Sequence, residues 1–332
     1  MHVNQALIDR HIKLISETLA PLFPKGTSYA LVDFPAHSNV GDSAIWRGEV
    51  QILKTLTGLS PSYTCSATNF SAANLRDHHP SGPILIHGGG NLGDLWPHHQ
   101  NLRIQILKKF KDRAVIQLPQ SIQFNDPANA RDFKKLAREH GNLRILTRDK
   151  RSLAMAQEFV GEKAQLCPDA AFGMGALIRP VAGIRDVFCL LREDTERSTA
   201  DYSVFDGKLG LMTADWLVEP WAYRKSLRLG ALPALLASGR INRQKWRNLR
   251  YDYMAARRVN RGLRMLSQGN VVITDRLHAH ILSVLLGIPN IVLDNNYGKV
   301  HGYMEAWTSD AYKAFRASSP KEAFELLSIL QS

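Results

Sequence analysis

Two fixed cations and an imidazole, Arg276, Lys299 and His278, cluster late in this 332-residue chain. They belong to the stretch Thr274-Asp275-Arg276-Leu277-His278-Ala279-His280, followed by Gly287-Ile288-Pro289 and then Lys299. The apolar run Val271-Val272-Ile273 stops just before it. A helical pattern (Ile281, Leu282, Val284, Leu285) follows, and a second apolar run, Ile291-Val292-Leu293, ends short of Lys299. That order reads as strand, helix, strand. Arg276 and His278 then stand at a strand's carboxyl end, the edge where open α/β sheets bind ligands. Such a set suits a small, highly anionic substrate. His280 reads as a structural residue facing its helix, and Asp275 as a group orienting a neighbour.

Further polar segments close other apolar runs. Asn39-Val40-Gly41-Asp42-Ser43 opens a helix, where free amides attract an anion; the plain alternative is a turn capped by Asp42. His87-Gly88-Gly89-Gly90-Asn91-Leu92-Gly93-Asp94 follows another strand, and its run of three glycines brings the backbone close to whatever lies at the sheet edge. It resembles the oxyanion region of some lipases, but the chain has no GxSxG elbow. GxxxxGK[ST] and HExxH are also lacking, and His87, His98 and His99 lack metal-ligand spacing, so no metal is expected. Pro119-Gln120-Ser121-Ile122, Thr147-Arg148-Asp149 with Ser152, and Cys167-Pro168-Asp169-Ala170 end the next runs. Each alone is a turn, and Arg148 with Asp149 alone is a surface ion pair of little value. Together they line one edge, with Arg148 facing Arg276 and His278 across a cleft.

The elements that must hold these residues follow from periodicity. From Ser28 to about Pro180, strand-like runs (Tyr29–Val32, Ile84–Ile86, Ala114–Leu118, Leu143–Leu146) alternate with helical patterns (Ala44–Leu56, Leu102–Phe110, Phe133–Ala137, Leu153–Phe159). Alternation of this kind predicts a parallel sheet covered on both faces. The pattern restarts at Val187–Leu191, passes through a basic helical middle (about Ala214 to Leu266) and ends in a helix from Pro320 to Leu330, capped near Ser318 or Ser319. Pro180 and Gly183 interrupt both periodicities, which puts a boundary near Arg179–Ile184 and divides the chain into 1–180 and 181–332.

Composition narrows the class. Met1 to Leu19 forms an amphipathic pattern carrying Asp9, Arg10 and Lys13, so a secretory signal is not expected. No apolar run approaches the roughly 18 residues that span a bilayer. Cys65, Cys167 and Cys189 are scattered, which fits a reduced, cytoplasmic setting. The net charge of +12 is the outlier, concentrated in Arg243, Lys245, Arg247, Arg250, Arg257, Arg258, Arg261 and Arg264, with Trp246, Tyr251 and Tyr253 interleaved. Three readings are open for that segment: a solvated helical face, a groove or membrane-facing surface for a diphosphate-bearing substrate, and a nucleic-acid surface. No recognised nucleic-acid motif accompanies it, so no nucleic acid is expected.

In order and spacing, these segments resemble the polysaccharide pyruvyl transferases. The resemblance rests on Asn39-Val40-Gly41-Asp42, Gly88-Gly89-Gly90-Asn91-Leu92, Gln120-Ser121-Ile122, Arg148-Asp149 with Ser152, Pro168-Asp169-Ala170, and Arg276-x-His278 with Gly287-x-Pro289 and Lys299. It spans roughly Val32 to Lys299. His37-Ser38 replaces the glycines often found before Asn39, and Gln120-Ser121-Ile122 lacks its flanking glycines. The resemblance implies two Rossmann-like α/β domains in a glycosyltransferase-B-like arrangement, with parallel sheets and a cleft between domains. It implies transfer of the enolpyruvyl unit of phosphoenolpyruvate onto two sugar hydroxyls as a ketal, without metal or cofactor. Arg148, Arg276 and Lys299 would hold phosphoenolpyruvate and His278 would be the general acid. Asn39 and Asn91 would serve the acceptor. Asp42, Asp94 and Asp169 remain open as the base.

The acceptor would be a lipid-linked oligosaccharide or another glycan precursor of an exopolysaccharide, met at the inner face of an anionic membrane to which the basic patch attaches peripherally. Two alternatives stay on the table: a nucleotide-sugar glycosyltransferase of the same architecture, and a non-catalytic polyanion-binding protein.

Overall fold

The computed structural model describes residues 2–192, 200–205, 211–230, 243–294 and 298–331. Strands β1 (Ala30–Val32), β2 (Tyr63–Cys65), β3 (Ile84–Ile86), β4 (Gly89–Gly93), β5 (Val115–Gln123), β6 (Leu143–Thr147) and β7 (Ala164–Leu166) form one parallel sheet. Its order is β2-β1-β3-β5-β6-β7, with β4 paired to β5 off that path. A second parallel sheet joins β8 (Arg185–Leu190), β9 (Leu211–Ala214), β10 (Gly269–Thr274), β11 (Asn290–Leu293) and β12 (Ala314–Ala317) in the order β12-β11-β10-β8-β9. In each sheet the chain starts inside and winds outwards both ways: β1 lies between β2 and β3, and β8 between β9 and β10. Strand order therefore reverses beside β1 and β8, and a crevice opens at the carboxyl ends there.

The helices are α1 (Gln5–Leu19), α2 (Val40–Thr57), α3 (Ala72–His78), α4 (Pro97–Lys109), α5 (Pro127–His140), α6 (Lys150–Val160), α7 (Trp221–Leu229), α8 (Arg243–Leu266), α9 (Leu277–Leu286), α10 (Lys299–Tyr303) and α11 (Pro320–Gln331). The largest apolar core joins the two sheets. It combines Leu31, Leu85 and Leu146 of the first with Phe188, Leu190 and Val292 of the second, filled by residues of α1, α2, α8 and α9. Smaller cores cover the opposite face of each sheet. α9 is buried on every side, as an apolar helix without a polar face must be. The stripe Ile8, Ile15 and Leu19 on α1 is buried as its spacing predicts, and Asn4 and Arg10 tie that helix to Val284 and Asp310.

α8 bridges the halves. Its Tyr251 stacks on Phe34 with ring centroids 3.9 Å apart, a contact worth about 0.5–1.5 kcal/mol beyond burial. Gln244 and Arg247 donate to the Thr64 carbonyl, Arg258 to the Pro35 carbonyl and Arg261 to the Ser38 carbonyl. Where α8 crosses α2, Gly262 meets Val40 so closely that a Cβ would stand 2.3 Å from a Val40 methyl.

Several sequence expectations need correction. The glycine-rich segment after β3 forms a strand of its own, which the sequence did not show: β4 pairs with β5, and a Cβ on Gly93 would lie 1.7 Å from the Gln123 carbonyl oxygen. Only glycine allows that backbone approach. The cap of α2 is Asn39, whose side chain accepts from the Gly41 amide, rather than Asp42. The basic middle is not one helix. Its first residue closes β9, Pro220 precedes α7, and α8 follows; residues 231–242 lie outside the described residues. α11 begins as expected, with Ser319 Oγ accepting from the Glu322 amide.

Candidate active site

The carboxyl edges of both sheets converge on a cavity of about 410 Å³. Asn39 and Asp42 reach it from the cap and first turn of α2, Gly90 and Asn91 from β4, Arg148 from just past β6, and Arg276 and His278 from the cap and first turn of α9. Hydrogen bonds fix each group.

Arg148 is almost fully buried, and its guanidinium has two anchors. Nε donates to Ser121 Oγ at 2.9 Å, and Nη1 to Asp169 Oδ2 at 2.7 Å. Ser121 in turn donates to Asp149, which caps α6 through the Ser152 amide, while Ser152 Oγ accepts from the Ile122 amide. The Gln-Ser-Ile and Arg-Asp…Ser segments are thus one chain of bonds whose product is the orientation of Arg148. Asp149 is not an ion-pair partner of Arg148 here but part of that support.

His278 sits in the first turn of α9. Its Nε2 lies 3.3 Å from Asp169 Oδ2 and 3.3 Å from Arg148 Nη1. Arg148 has only donors, so Asp169 accepts from it; Nε2 donates to the Asp169 carboxylate when protonated and accepts from Arg148 when not. On the other side the ring rests on Gly41, where a Cβ would come within 2.4 Å of Nδ1. Gly41 is therefore required by the imidazole rather than by the turn. Asp169 also accepts from the Ala171 amide. Complete burial pushes its carboxyl up, but His278, Arg148 and that amide outweigh this and hold it well below the usual carboxylate range.

Arg276 donates to Asp215 Oδ2 at 2.7 Å, both side chains being about 4% exposed. Asp275 turns the other way, accepting from the Arg192 amide and the Tyr202 hydroxyl; burial raises its carboxyl to about 6. His280 bridges Asn290 and Thr308 away from the cavity, and burial lowers it to about 4. Lys299 begins α10; its side chain lies outside the described residues.

The acidic and amide candidates separate. Asp42 faces the cavity, accepting from Asn39 Nδ2 at 2.9 Å with His37 Nε2 at 3.6 Å. Burial raises its carboxyl, yet His37, His278, His87 and Arg148 leave it below the ordinary value. Asn91 borders the cavity, but its Oδ1 is taken by Arg103 and Gln120, each at 2.6 Å. Asp94 is elsewhere: it accepts from the amides of Asn125 and Asp126 and from the Asn129 side chain, and does not line the cavity.

Sequence reading missed three supports. Asp33, straight after β1, holds His99 Nδ1 at 2.7 Å, and His99 lines the cavity. Asp33 has φ 72°, a left-handed conformation uncommon outside glycine but most tolerated by Asp and Asn. Glu49 holds the His87 ring at 2.7 Å and the Gly88 amide at 2.8 Å. Asp215 holds Arg276. All three partnerships join residues far apart in sequence, so spacing carried no signal; only the place of Asp33 at a strand's carboxyl end pointed to it. Among the described residues, no group of three or more His, Cys, Asp or Glu side chains is arranged to hold a metal ion.

A crevice between the carboxyl edges of parallel sheets, lined by buried, carboxylate-paired arginines and a histidine, defines an α/β protein with a charged cleft. Comparison with known proteins gives the family. Residues 39–297 match the polysaccharide pyruvyl transferase family, and the chain belongs to it. It is 33% identical to pyruvyl transferase 1 of Schizosaccharomyces pombe over 293 residues, 84% of this chain and 69% of that protein. It is 30% identical to the putative pyruvyl transferase EpsO of Bacillus subtilis, covering 87% of this chain and 88% of that one. The fold matches the crystal structure of a functionally uncharacterised protein from Klebsiella pneumoniae. The TM-score is 0.60 at 15% identity, over 94% of this chain and 99% of that one. The family makes the chain a transferase. Among the described residues no helix is long and apolar enough to cross a membrane.

Proposed function

We propose that the chain moves the pyruvyl unit of phosphoenolpyruvate onto two hydroxyls of a sugar in a cell-surface polysaccharide precursor, releasing phosphate. The observation that carries this reading is the presence of Arg148, His278 and Arg276 in one cavity, with the first two held from behind by the buried Asp169. We take the sheets as two Rossmann-like domains, 1–180 and 181–332, in a glycosyltransferase-B-like arrangement.

Phosphoenolpyruvate carries a carboxylate and a phosphate, both matched by the guanidinium fork. Arg148 and Arg276 bind them, with Lys299 as a third cation, and charge-assisted bonds of about 1.5–3 kcal/mol each supply the affinity. His278 delivers its Nε2 proton to the methylene carbon, leaving a methyl group beside a cation-like carbon. Asp169 steadies the imidazolium before transfer. One sugar hydroxyl adds to that carbon, the phosphate departs with its bonding electrons, and the second hydroxyl closes the ketal. The two hydroxyl protons leave through His278 and a base on the acceptor side. Asp42 is that base by position, since Asp169 is committed to Arg148 and His278 and Asp94 to a distant turn; Asn39 orients Asp42. The reaction needs no cofactor, and cytoplasmic phosphoenolpyruvate is the donor.

Thermal unfolding with added ligand tests the donor. Phosphoenolpyruvate should raise the midpoint, and Arg148→Gln should abolish the shift. A response to a nucleoside diphosphate sugar but not to phosphoenolpyruvate would replace this reading with a glycosyltransferase. Peripheral attachment to an anionic membrane, through exposed Arg243, Lys245, Arg257 and Arg264 of α8, predicts binding to phosphatidylglycerol vesicles at low salt and none to neutral ones.

A further inference from the structure

The segment after β11 reaches back across the molecule to the catalytic junction. α10 runs straight into a π-helical turn, Met304–Thr308, and Val300 at its start lines the cavity. A π-helical turn is rare and is found frequently at functional sites. Two large side chains, Tyr303 and Trp307, stand four residues apart along it, and both bond to the first half of the chain. The Asp169 amide donates to Tyr303 Oη at 3.2 Å, and Trp307 Nε1 donates to the Arg148 carbonyl at 2.9 Å. Asp169 and Arg148 are the two partners of His278 Nε2.

The anchoring is firm on every side. Tyr303 is buried, and burial with Asp169 beside it pushes its hydroxyl well above the ordinary value, so Oη stays neutral and accepts. Asp169 Oδ1 is fixed by the Ala171 amide, while Oδ2 serves Arg148 and His278. The Tyr303 bond therefore sets the backbone from which that carboxylate projects. The Arg148 amide donates to the Gln120 carbonyl, so its backbone is pinned by β5 on one side and by Trp307 on the other. The far end of the turn is tied to the helix of the acid itself: Thr308 Oγ1 lies 2.8 Å from His280 Nε2, two residues beyond His278 on α9. A strap that served only the fold could bond anywhere along the first half. Both of these bonds fall on the residues that meet the His278 ring.

We infer that Tyr303 and Trp307 are positioning residues, Tyr303 setting the Asp169 carboxylate against His278 and Trp307 setting the Arg148 guanidinium for the donor. What the two settings serve rests on the pyruvyl-transfer reading: protonation of the methylene carbon and binding of phosphoenolpyruvate. Neither side chain lines the cavity, so each acts through the residue it holds. Tyr303 then governs turnover and Trp307 donor affinity.

Tyr303→Phe and Trp307→Phe in the full chain test this, with Tyr312→Phe as the control at an exposed ring of the same segment. Tyr303→Phe keeps the ring and removes only the hydroxyl. The first readout is the His278 imidazole resonance in histidine-labelled protein at fixed pH, identified by its loss in His278→Gln. Tyr303→Phe should shift that resonance, because the bond to Asp169 changes, and Tyr312→Phe should leave it in place. The second readout is phosphate release from phosphoenolpyruvate with pooled glycan acceptors. Tyr303→Phe should lower kcat at least about tenfold, towards the 10²-fold that a misplacement of about 1 Å costs, with KM for phosphoenolpyruvate within about threefold. Trp307→Phe should do the reverse, raising KM about three- to tenfold, the scale of one hydrogen bond, with kcat within about threefold. Melting midpoints of both should stay within about 5 °C of the wild type. If Tyr303→Phe does not fold, the KM of Trp307→Phe carries the test. A His278 resonance unmoved by Tyr303→Phe, or losses of kcat and affinity that merely follow lost stability, overturns the inference. If the resonance moves as expected while the wild type never responds to phosphoenolpyruvate, the donor reading fails and the setting of Asp169 by Tyr303 stands.

Discussion

Placing a methyl group on Gly41 should disable the enzyme without unfolding it. The Cβ of a Gly41→Ala variant would stand 2.4 Å from His278 Nδ1, 2.6 Å from Cγ and 2.7 Å from Cβ. Ordinary contact begins near 3.4 Å, so the imidazole must withdraw by about 1 Å. The helix itself accepts alanine: Gly41 has no positive φ, and alanine is the better helix former by up to about 1 kcal/mol. Overpacking against a buried ring costs about 1–3 kcal/mol, so the net change in stability stays small. Withdrawal takes Nε2 away from Asp169 and from the methylene carbon it must protonate. A misplacement of about 1 Å costs about 10²-fold in rate. Phosphoenolpyruvate affinity, which the proposed function assigns to Arg148 and Arg276, should change much less. The assay is acceptor-dependent phosphate release at saturating phosphoenolpyruvate, paired with donor binding by thermal shift. Gly302→Ala, whose Cβ meets nothing within 4 Å, is the control. If Gly41→Ala turns over within about threefold of the wild type, His278 does not depend on this contact and the reasoning is wrong.

Three further outcomes follow from the same contacts. Arg276→Ala leaves Asp215 buried without its cation and should cost about 3–5 kcal/mol in chemical denaturation. Adding Asp215→Ala should restore much of that stability but none of the phosphoenolpyruvate affinity; recovery of affinity would remove Arg276 from the donor site. His280 has its ordinary value of 6.5 lowered to about 4 by burial, so the unfolded chain takes up a proton that the folded chain refuses. Stability should therefore fall as pH drops from 6.5 towards 4, by up to about 3 kcal/mol from this group, and His280→Gln should flatten the slope of melting temperature against pH. Parallel slopes would show that His280 is not the group titrating. Gly262→Leu should push α8 off Val40 at the start of α2, costing about 1–3 kcal/mol and lowering turnover through the Asn39–Asp42 turn; full activity would show that this crossing does not set the site.

Much of the architecture was legible because parallel sheets announce themselves as short apolar runs separated by helical periodicity. β1, β3, β6, β8, β10 and β11 lie where such runs fall. β2, β7 and β12 are about as short as β1 and β3 but are interrupted by Thr64, Gln165 and Arg316, so no apolar run marks them, and β4 is glycine-rich and holds its place by close backbone approach rather than by side-chain pattern. Arg148, Arg276 and His278 were legible because each directly follows an apolar run, at the edge where ligands bind. Their partners were not. Asp169 ends a weak run and has several plausible roles, while Asp33, Glu49 and Asp215 act through folding neighbours 38 to 66 residues away. The basic helix showed its charge in the sequence, but which arginines are bound to carbonyls and which are left facing a cavity depends on the packing of α8 against β2 and α2.

The most direct measurement is phosphate release from phosphoenolpyruvate with pooled lipid-linked and free glycan acceptors, comparing the wild type with His278→Ala. The account predicts acceptor-dependent release that falls about 10²–10⁴-fold in the variant, the range for losing a general acid. Release that is unchanged by the substitution would contradict the role given to His278. Wild-type protein that neither releases phosphate nor gains thermal stability from phosphoenolpyruvate would contradict the proposed reaction itself.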